Sequence, residues 1–159
     1  MGLDHLSVYL NDHSAGAVAA LELMAHVRDQ HSGTEAARVV ARVRADVEAD
    51  LRELARVIEQ VGRGESPTRK AVAWMGERMM RLKMLVDDSS NGALRLYESL
   101  EAIALGLEGK LALWRALETC AANVPALQGL DYAQLIARGR EQRDAIEPVR
   151  LDAARAAFC

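Results

Sequence analysis

Apolar residues recur every three or four positions along four long segments of the chain. In the first segment the recurring positions include Leu6, Leu10, Leu21 and Met24. This spacing places them on one face of an amphipathic α-helix, as a helix that packs against a core requires. The same pattern in the other segments predicts long helices at about 3–28, 34–61, 93–123 and 132–157.

The links between these segments predict how the helices connect. The first link, HSGT, is short, with Gly33 suited to a helix end and Thr34 suited to an N-cap. The link after the second helix is long, and it contains a shorter periodic segment at about 67–86 between the breakers GRGESP and DDSSNG. A long crossover at this point lets the second and third long helices run parallel. We therefore predict a single all-α domain over residues 1–159, a four-helix bundle with an extra short helix in the crossover.

Three phrases of the sequence resemble a known superfamily. YLNDHSAGAVAALEL, RADVEADLREL and ESLEAIALGLEGKLALWRAL are similar to the first three helices of ferritin-like four-helix bundles, in particular of small bacterial members with an extra helix between the two halves. The resemblance implies a ferritin-like fold. It also implies an iron-oxidising or iron-storing role or a carboxylate-bridged metal pair, because the well-known members have these properties.

The ligand pattern of that superfamily is missing from this chain. Its di-metal sites use a Glu-x-x-His pair from each of two helices. All four histidines, His5, His13, His26 and His31, lie in or just after the first helix, and none follows a glutamate by three residues. A di-iron site of the usual composition is therefore excluded.

Polar residues nevertheless occur beside apolar stripes. Glu101 and Glu108 lie about a quarter turn from the core stripe of the third helix, His13 lies on the stripe of the first, and Asp50 lies at the margin of the second. One imidazole and several carboxylates are acceptable ligands for iron, manganese or zinc. An atypical metal site made of these four residues is one hypothesis, and it predicts a metal-binding or redox protein.

A structural polar network, which needs no cofactor, is the other hypothesis. Gln142 falls on the apolar stripe of the fourth helix, with Arg143 and Arg150 at its edge. Since a buried charge is costly unless it is paired, an arginine could neutralise the acids in place of a metal. We expect Glu101 to be largely buried against an Arg or His of another helix. The stretch RGREQRD around Arg138, which mixes charges of both signs, is expected to face solvent.

Two glycines of the third helix suggest an additional contact. Gly106 and Gly109 lie on a strip of small residues away from the main stripe. Glycine within a helix costs about 1 kcal/mol relative to alanine, so the strip predicts that another element packs closely against it. That element is either the crossover helix, which is slightly preferred, or a second copy of the chain, which would form a homodimer. The alternative is that a very stable helix simply tolerates the two glycines.

Composition narrows the classes of function. The net charge of −3 and the interspersed basic residues argue against binding to nucleic acid or to anionic membranes. No run of about 18 apolar residues that would span a bilayer is present. The N-terminus lacks the pattern of a secretion signal, and the two cysteines form no framework, which favours a reducing, cytoplasmic location. Phosphate-binding loops and hydrolase motifs are absent. A non-catalytic bundle that acts through protein contacts, a metal-binding bundle and a bundle with a small-molecule cavity remain as hypotheses, the first being preferred.

Overall fold

The structure, a computed structural model, describes residues 2–62 and 92–159. Within these ranges it contains four long α-helices and one short 3₁₀ helix, and no strand. We name the long helices α1 (Gly2–Gln30), α2 (Glu35–Gly62), α3 (Ala93–Cys120) and α4 (Tyr132–Phe158). The 3₁₀ helix, Pro125–Leu127, lies in the link between α3 and α4. The prediction of an all-α fold is confirmed, and the predicted crossover helix at 67–86 lies outside the described residues.

Local sequence explains where the helices begin and end. Gly33 has a φ of +84°, a left-handed conformation that favours glycine, and it lets the chain turn between α1 and α2. Thr34 caps α2, its Oγ1 accepting a hydrogen bond from the backbone N–H of Ala37 at 3.2 Å. Asp131 caps α4 in the same way through the N–H of Gln134 at 2.9 Å. The third helix ends three residues earlier than the sequence pattern predicts, at Cys120.

The apolar core consists of two layers stacked along the bundle. The first layer joins the C-terminal half of α1 to the N-terminal half of α2, the N-terminal half of α3 and the C-terminal half of α4; its members include Leu23, Val40, Ile103 and Ile146. The second layer joins the opposite halves and includes Leu10, Leu54, Trp114 and Leu135.

The composition of these layers fixes the direction of each helix. Because the N-terminal halves of α2 and α3 share one layer, these two helices run parallel, whereas α1 is antiparallel to α2 and α3 is antiparallel to α4. Helix α1 packs against α2 and α3, and α4 packs against α3 and α2, so that neighbouring helices are antiparallel.

None of the helices in the described ranges combines the length and the apolar character needed to cross a membrane.

Candidate functional site

A group of four polar side chains lies where the two apolar layers meet. We call Asp50 of α2, Lys110 of α3, and Arg138 and Gln142 of α4 the central polar cluster. Asp50 follows Val47 of the first layer and precedes Leu54 of the second along α2. The other three members lie at the same height on their own helices, between the two layers. The cluster therefore interrupts the apolar core halfway along the bundle.

Asp50 is the centre of this cluster. Its side chain is 2% exposed, and the ammonium of Lys110 and the guanidinium of Arg138 both form ion pairs with it. Lys110 donates hydrogen bonds to Oδ2 of Asp50 and to Oε1 of Gln142. Gln142 in turn donates from Nε2 to Oδ2 of Asp50 at 3.1 Å. Three helices are thus joined by one buried carboxylate.

The cluster holds more positive than negative charge. One carboxylate, on Asp50, faces two cations, on Lys110 and Arg138. Oδ1 of Asp50 and Nε of Arg138 are buried without a well-aligned hydrogen bond to any described residue, so the Arg138 contact acts mainly through charge. Burial lowers the pKa of Lys110, and the nearby Asp50 opposes this effect only in part.

A pocket of about 420 Å³ adjoins the cluster and is bordered by α1, α2 and α3. We call it the central pocket. Most of its lining is apolar, and much of it comes from small residues: Ala15, Gly16, Ala19, Ala20, Ala102, Gly106 and Gly109. Small side chains on facing helices leave space between the backbones, and this produces the pocket at the level of the polar cluster. Both Asp50 and Lys110 belong to its lining.

Aromatic and titratable groups complete the lining. Trp114 lies in the wall, is 1% exposed, and its indole N–H has no hydrogen-bond partner among the described residues. His13 packs edge-to-face against Tyr9, with ring centroids 4.6 Å apart, and both residues line the pocket together with Asp12. Burial raises the pKa of Tyr9.

The four residues proposed as metal ligands do not come together. Asp50 belongs to the central polar cluster and His13 packs on Tyr9. Glu101 accepts a hydrogen bond from the Tyr97 hydroxyl at 2.7 Å, whereas Glu108 pairs with an arginine of α4. In the ranges 2–62 and 92–159 no group of three or more His, Cys, Asp or Glu side chains is close enough to hold a metal ion.

The expected burial of Glu101 is wrong, although its expected contact exists. Its side chain is 47% exposed, and the guanidinium of Arg150 lies 3.9 Å away. Arg150 pairs more closely with Glu147, at 2.7 Å, and this pair raises the pKa of Arg150 and lowers that of Glu147. A residue a quarter turn from the stripe lies at the boundary between two helices, where solvent still reaches it.

The three residues of the proposed polar network have different environments. Gln142 is buried in the central polar cluster, as its place on the stripe predicts. Arg143 is at the surface, 3.1 Å from Glu108, and Arg150 is only partly buried. Neither arginine reaches Asp50, whose positive partners are Lys110 and Arg138.

The sequence pattern did not identify Lys110 and Arg138 as members of the central polar cluster. The expectation that Arg138 faces solvent is wrong, because it is half-buried against Asp50. A signal was available, since Lys110 lies three residues after Leu107 and four before Trp114, on the core stripe of α3. Arg138 has the same relation to Leu135 and Gln142 on α4.

No described residue lies close to the two glycines of α3. A Cβ placed on Gly106 or Gly109 would meet no described atom within 4 Å, because both residues border the central pocket. The predicted packing of the crossover helix against these glycines involves residues outside the described ranges. The packing of a second copy of the chain against them stays a prediction.

Comparison with known proteins identifies no relative: no protein-family model, no curated protein and no solved structure matches the chain.

Proposed function

We propose that the chain is a non-catalytic, ferritin-like bundle that binds a small, mostly apolar molecule in the central pocket. The observation that carries the proposal is the pocket itself. Its volume of about 420 Å³ falls within the range of roughly 300–1,000 Å³ that is typical of small-molecule sites. Such sites are mostly apolar and contain a few convergent polar groups, a description that fits the small apolar lining with Asp50 and Lys110.

The cost of maintaining the pocket also supports this proposal. Helix α3 carries Gly106 and Gly109 where alanine would fit and would favour the helix by about 1 kcal/mol each. Larger side chains at these positions would fill the space. The sequence therefore keeps a cavity at the expense of stability, which is expected of a binding site.

Isothermal titration calorimetry with 1-decanol tests the proposal. We expect saturable binding to the wild-type protein and at least tenfold weaker binding to Gly106→Leu, whose side chain would occupy the pocket. Ala112→Leu is the matched control, because Ala112 is exposed on the same helix and does not line the pocket. Equal binding to both variants, or no binding to the wild type, would refute the proposal.

Self-association over the same face is a second proposal. Leu105 is 68% exposed beside Gly106, which gives α3 an apolar surface that no described residue covers. A second copy packed there would form a homodimer. Light scattering should then give a dimer mass for the wild type and a lower mass for Leu105→Glu, whereas a monomer mass for the wild type would contradict the idea.

We also propose that the protein is located in the cytoplasm. Cys120 and Cys159 are both exposed and form no disulfide. Free thiols persist in a reducing compartment. Expression of a tagged chain followed by fractionation would test the location.

A further inference from the structure

Lys110 places an amine between the central polar cluster and the central pocket. Its side chain lines the pocket and is 12% exposed, so the lysine is not sealed inside the core. Asp50, which lines the same pocket, accepts a hydrogen bond from the Lys110 ammonium. The pocket therefore adjoins a lysine that has a carboxylate within hydrogen-bonding distance.

Lysine is a rare choice for a basic residue in this chain. Of the 20 lysines and arginines in the sequence, only Lys70, Lys83 and Lys110 are lysines. Arginine is the usual residue for a buried ion pair, because its planar guanidinium binds carboxylates in a bidentate way and stays charged. A lysine ammonium can instead lose a proton and become a nucleophile. Amine chemistry therefore explains a lysine beside the pocket better than charge alone does.

The surroundings of Lys110 favour the neutral form of the amine. Burial lowers the pKa of Lys110 and the guanidinium of Arg138 adds to this effect, whereas the carboxylates of Asp50 and Asp46 oppose it only in part. Desolvation in an apolar pocket and a neighbouring cation are the two usual means of activating a lysine as a nucleophile. Asp50 is also placed to take the proton that the ammonium must lose, since its Oδ2 accepts the Lys110 hydrogen bond.

We propose that the central pocket captures an aldehyde with an apolar body, whose carbonyl carbon forms an imine with Nζ of Lys110. The inference rests on the proposed function, since it names the class of ligand for the same pocket. A volume of 420 Å³ equals the share of about fourteen water molecules in the liquid, at about 30 Å³ each. The ligand should accordingly have roughly ten to fourteen non-hydrogen atoms, the size of a medium-chain aldehyde.

The reaction balances with the groups that the pocket supplies. Asp50 takes one proton from the ammonium, and the freed electron pair of Nζ attacks the carbonyl carbon, whose oxygen takes a second proton from the nitrogen to give a carbinolamine. Asp50 returns its proton to the hydroxyl group, which leaves as water while the C=N bond forms. The protonated imine carries the same single positive charge as the original ammonium, so Asp50 remains its counterion. The capture is reversible and needs no oxidant or reductant, which suits a binding protein.

Reductive trapping with decanal and sodium cyanoborohydride tests for the imine. The reductant converts an imine to a stable secondary amine, which leaves one decyl group on the modified nitrogen. Peptide mass mapping locates this group on the protein, and Nα-acetyl-lysine added to the same neutral solution is the reference for an unperturbed amine. We expect Lys110 to be modified at least tenfold faster than the reference. A lysine that only paired with Asp50 would be shielded by the core and would react more slowly than the reference.

Variants and a competitor connect the reaction to the pocket. Gly106→Leu, whose side chain would occupy the pocket, should slow the modification of Lys110 at least tenfold. Ala112→Leu is the matched control, because Ala112 is exposed on the same helix and does not line the pocket, and it should keep the wild-type rate. Excess 1-decanol should protect Lys110 in the wild type. Lys83→Arg removes a different lysine and should leave the rapid modification intact, whereas Lys110→Met should abolish it.

The outcomes separate this inference from the function on which it rests. If Lys110 reacts no faster than Nα-acetyl-lysine, or if Gly106→Leu reacts as fast as the wild type, the imine inference is overturned. Calorimetric binding of 1-decanol to the wild type would in that case leave the proposed function standing. If 1-decanol does not bind and Lys110 is not modified, both fail. Circular dichroism and urea unfolding would verify that each variant is folded before the reaction.

Discussion

Asp50 of α2 and Lys110 of α3 form a buried ion pair between two parallel helices, at the level where the two apolar layers of the bundle meet. Parallel helices in this arrangement are diagonal neighbours, so the pair reaches across the centre of the bundle. Arg138 and Gln142 bring α4 into the same cluster. The cluster therefore links three of the four helices.

Removing the charge of Asp50 should be strongly destabilising. Asp50→Asn would leave Lys110 and Arg138 without their carboxylate, and loss of one partner of a buried ion pair typically costs about 3–5 kcal/mol. Glu108→Gln is the matched control, because the pair of Glu108 with Arg143 is largely exposed and exposed pairs contribute little to stability. Urea unfolding of both variants measures the difference. A loss below about 1 kcal/mol for Asp50→Asn would contradict the central role of this carboxylate.

Replacing Lys110 should cost less than replacing Asp50. In Lys110→Met the carboxylate of Asp50 keeps Arg138 and the amide of Gln142, and the excess positive charge disappears. Removing one partner of a buried pair is costly because it leaves an unpaired charge, but in this variant Arg138 still neutralises the carboxylate of Asp50. We expect the free energy of unfolding to fall by less than half as much as in Asp50→Asn, in the same urea experiment. An equal or larger loss for Lys110→Met would contradict this expectation.

The contribution of Lys110 to stability should depend on pH in a defined direction. Burial lowers the pKa of Lys110 in the folded protein from its ordinary value of 10.5. Between the folded and unfolded pKa values the unfolded chain binds more protons, so stability rises with pH in this interval. As pH increases towards 10.5, the free energy of unfolding of the wild type should therefore rise relative to that of Lys110→Met.

The titration of Tyr97 changes stability with pH in the opposite direction, so the comparison with Lys110→Met must cancel its effect. Its hydrogen bond to Glu101 raises the pKa of the phenol, so its contribution is present below the ordinary value of 10.0 and is lost as pH rises through the folded pKa. Both proteins retain Tyr97, and the difference between them isolates Lys110. Urea unfolding of the wild type and of Lys110→Met between pH 8 and 10.5 measures the difference between their free energies of unfolding. A difference that stays constant or falls as the pH rises would contradict the lowered pKa of Lys110.

The helices could be predicted from the sequence because their apolar stripes are long and their breakers are clear. The Thr34 cap and the turn at Gly33 follow from local chemistry and are confirmed. The burial of Asp50 and Gln142 follows from their positions on or beside a stripe. These features depend on residues that are near one another in sequence, which explains why the pattern reveals them.

The pairing of the polar residues depends on helix rotation and register, which the sequence pattern does not determine. Glu101 and Glu108 were placed correctly beside the stripe of α3, but the adjoining groove is open enough to leave both half-exposed. Lys110 lies on the stripe of α3, and its long side chain places the ammonium group next to the carboxylate of Asp50 on another helix. Predicting the partner of Asp50 required the relative rotation of three helices.

Gly139 of α4 should respond to substitution in the opposite way from Gly109 of α3. A Cβ on Gly139 would lie 2.8 Å from Cδ2 and 3.2 Å from Cγ of Leu111, a fully buried side chain, whereas a Cβ on Gly109 would meet no described atom within 4 Å. Gly109→Ala should stabilise the protein by about 0.5–1 kcal/mol through helix propensity. In Gly139→Ala the same gain is opposed by overpacking of about 1–3 kcal/mol, so we expect a net loss. Thermal and urea unfolding would compare the two, and in a Leu111→Ala background, where the obstructing atoms are absent, Gly139→Ala should become stabilising. Equal stabilisation by both substitutions in the wild-type background would show that α3 and α4 are not in such close contact at Gly139.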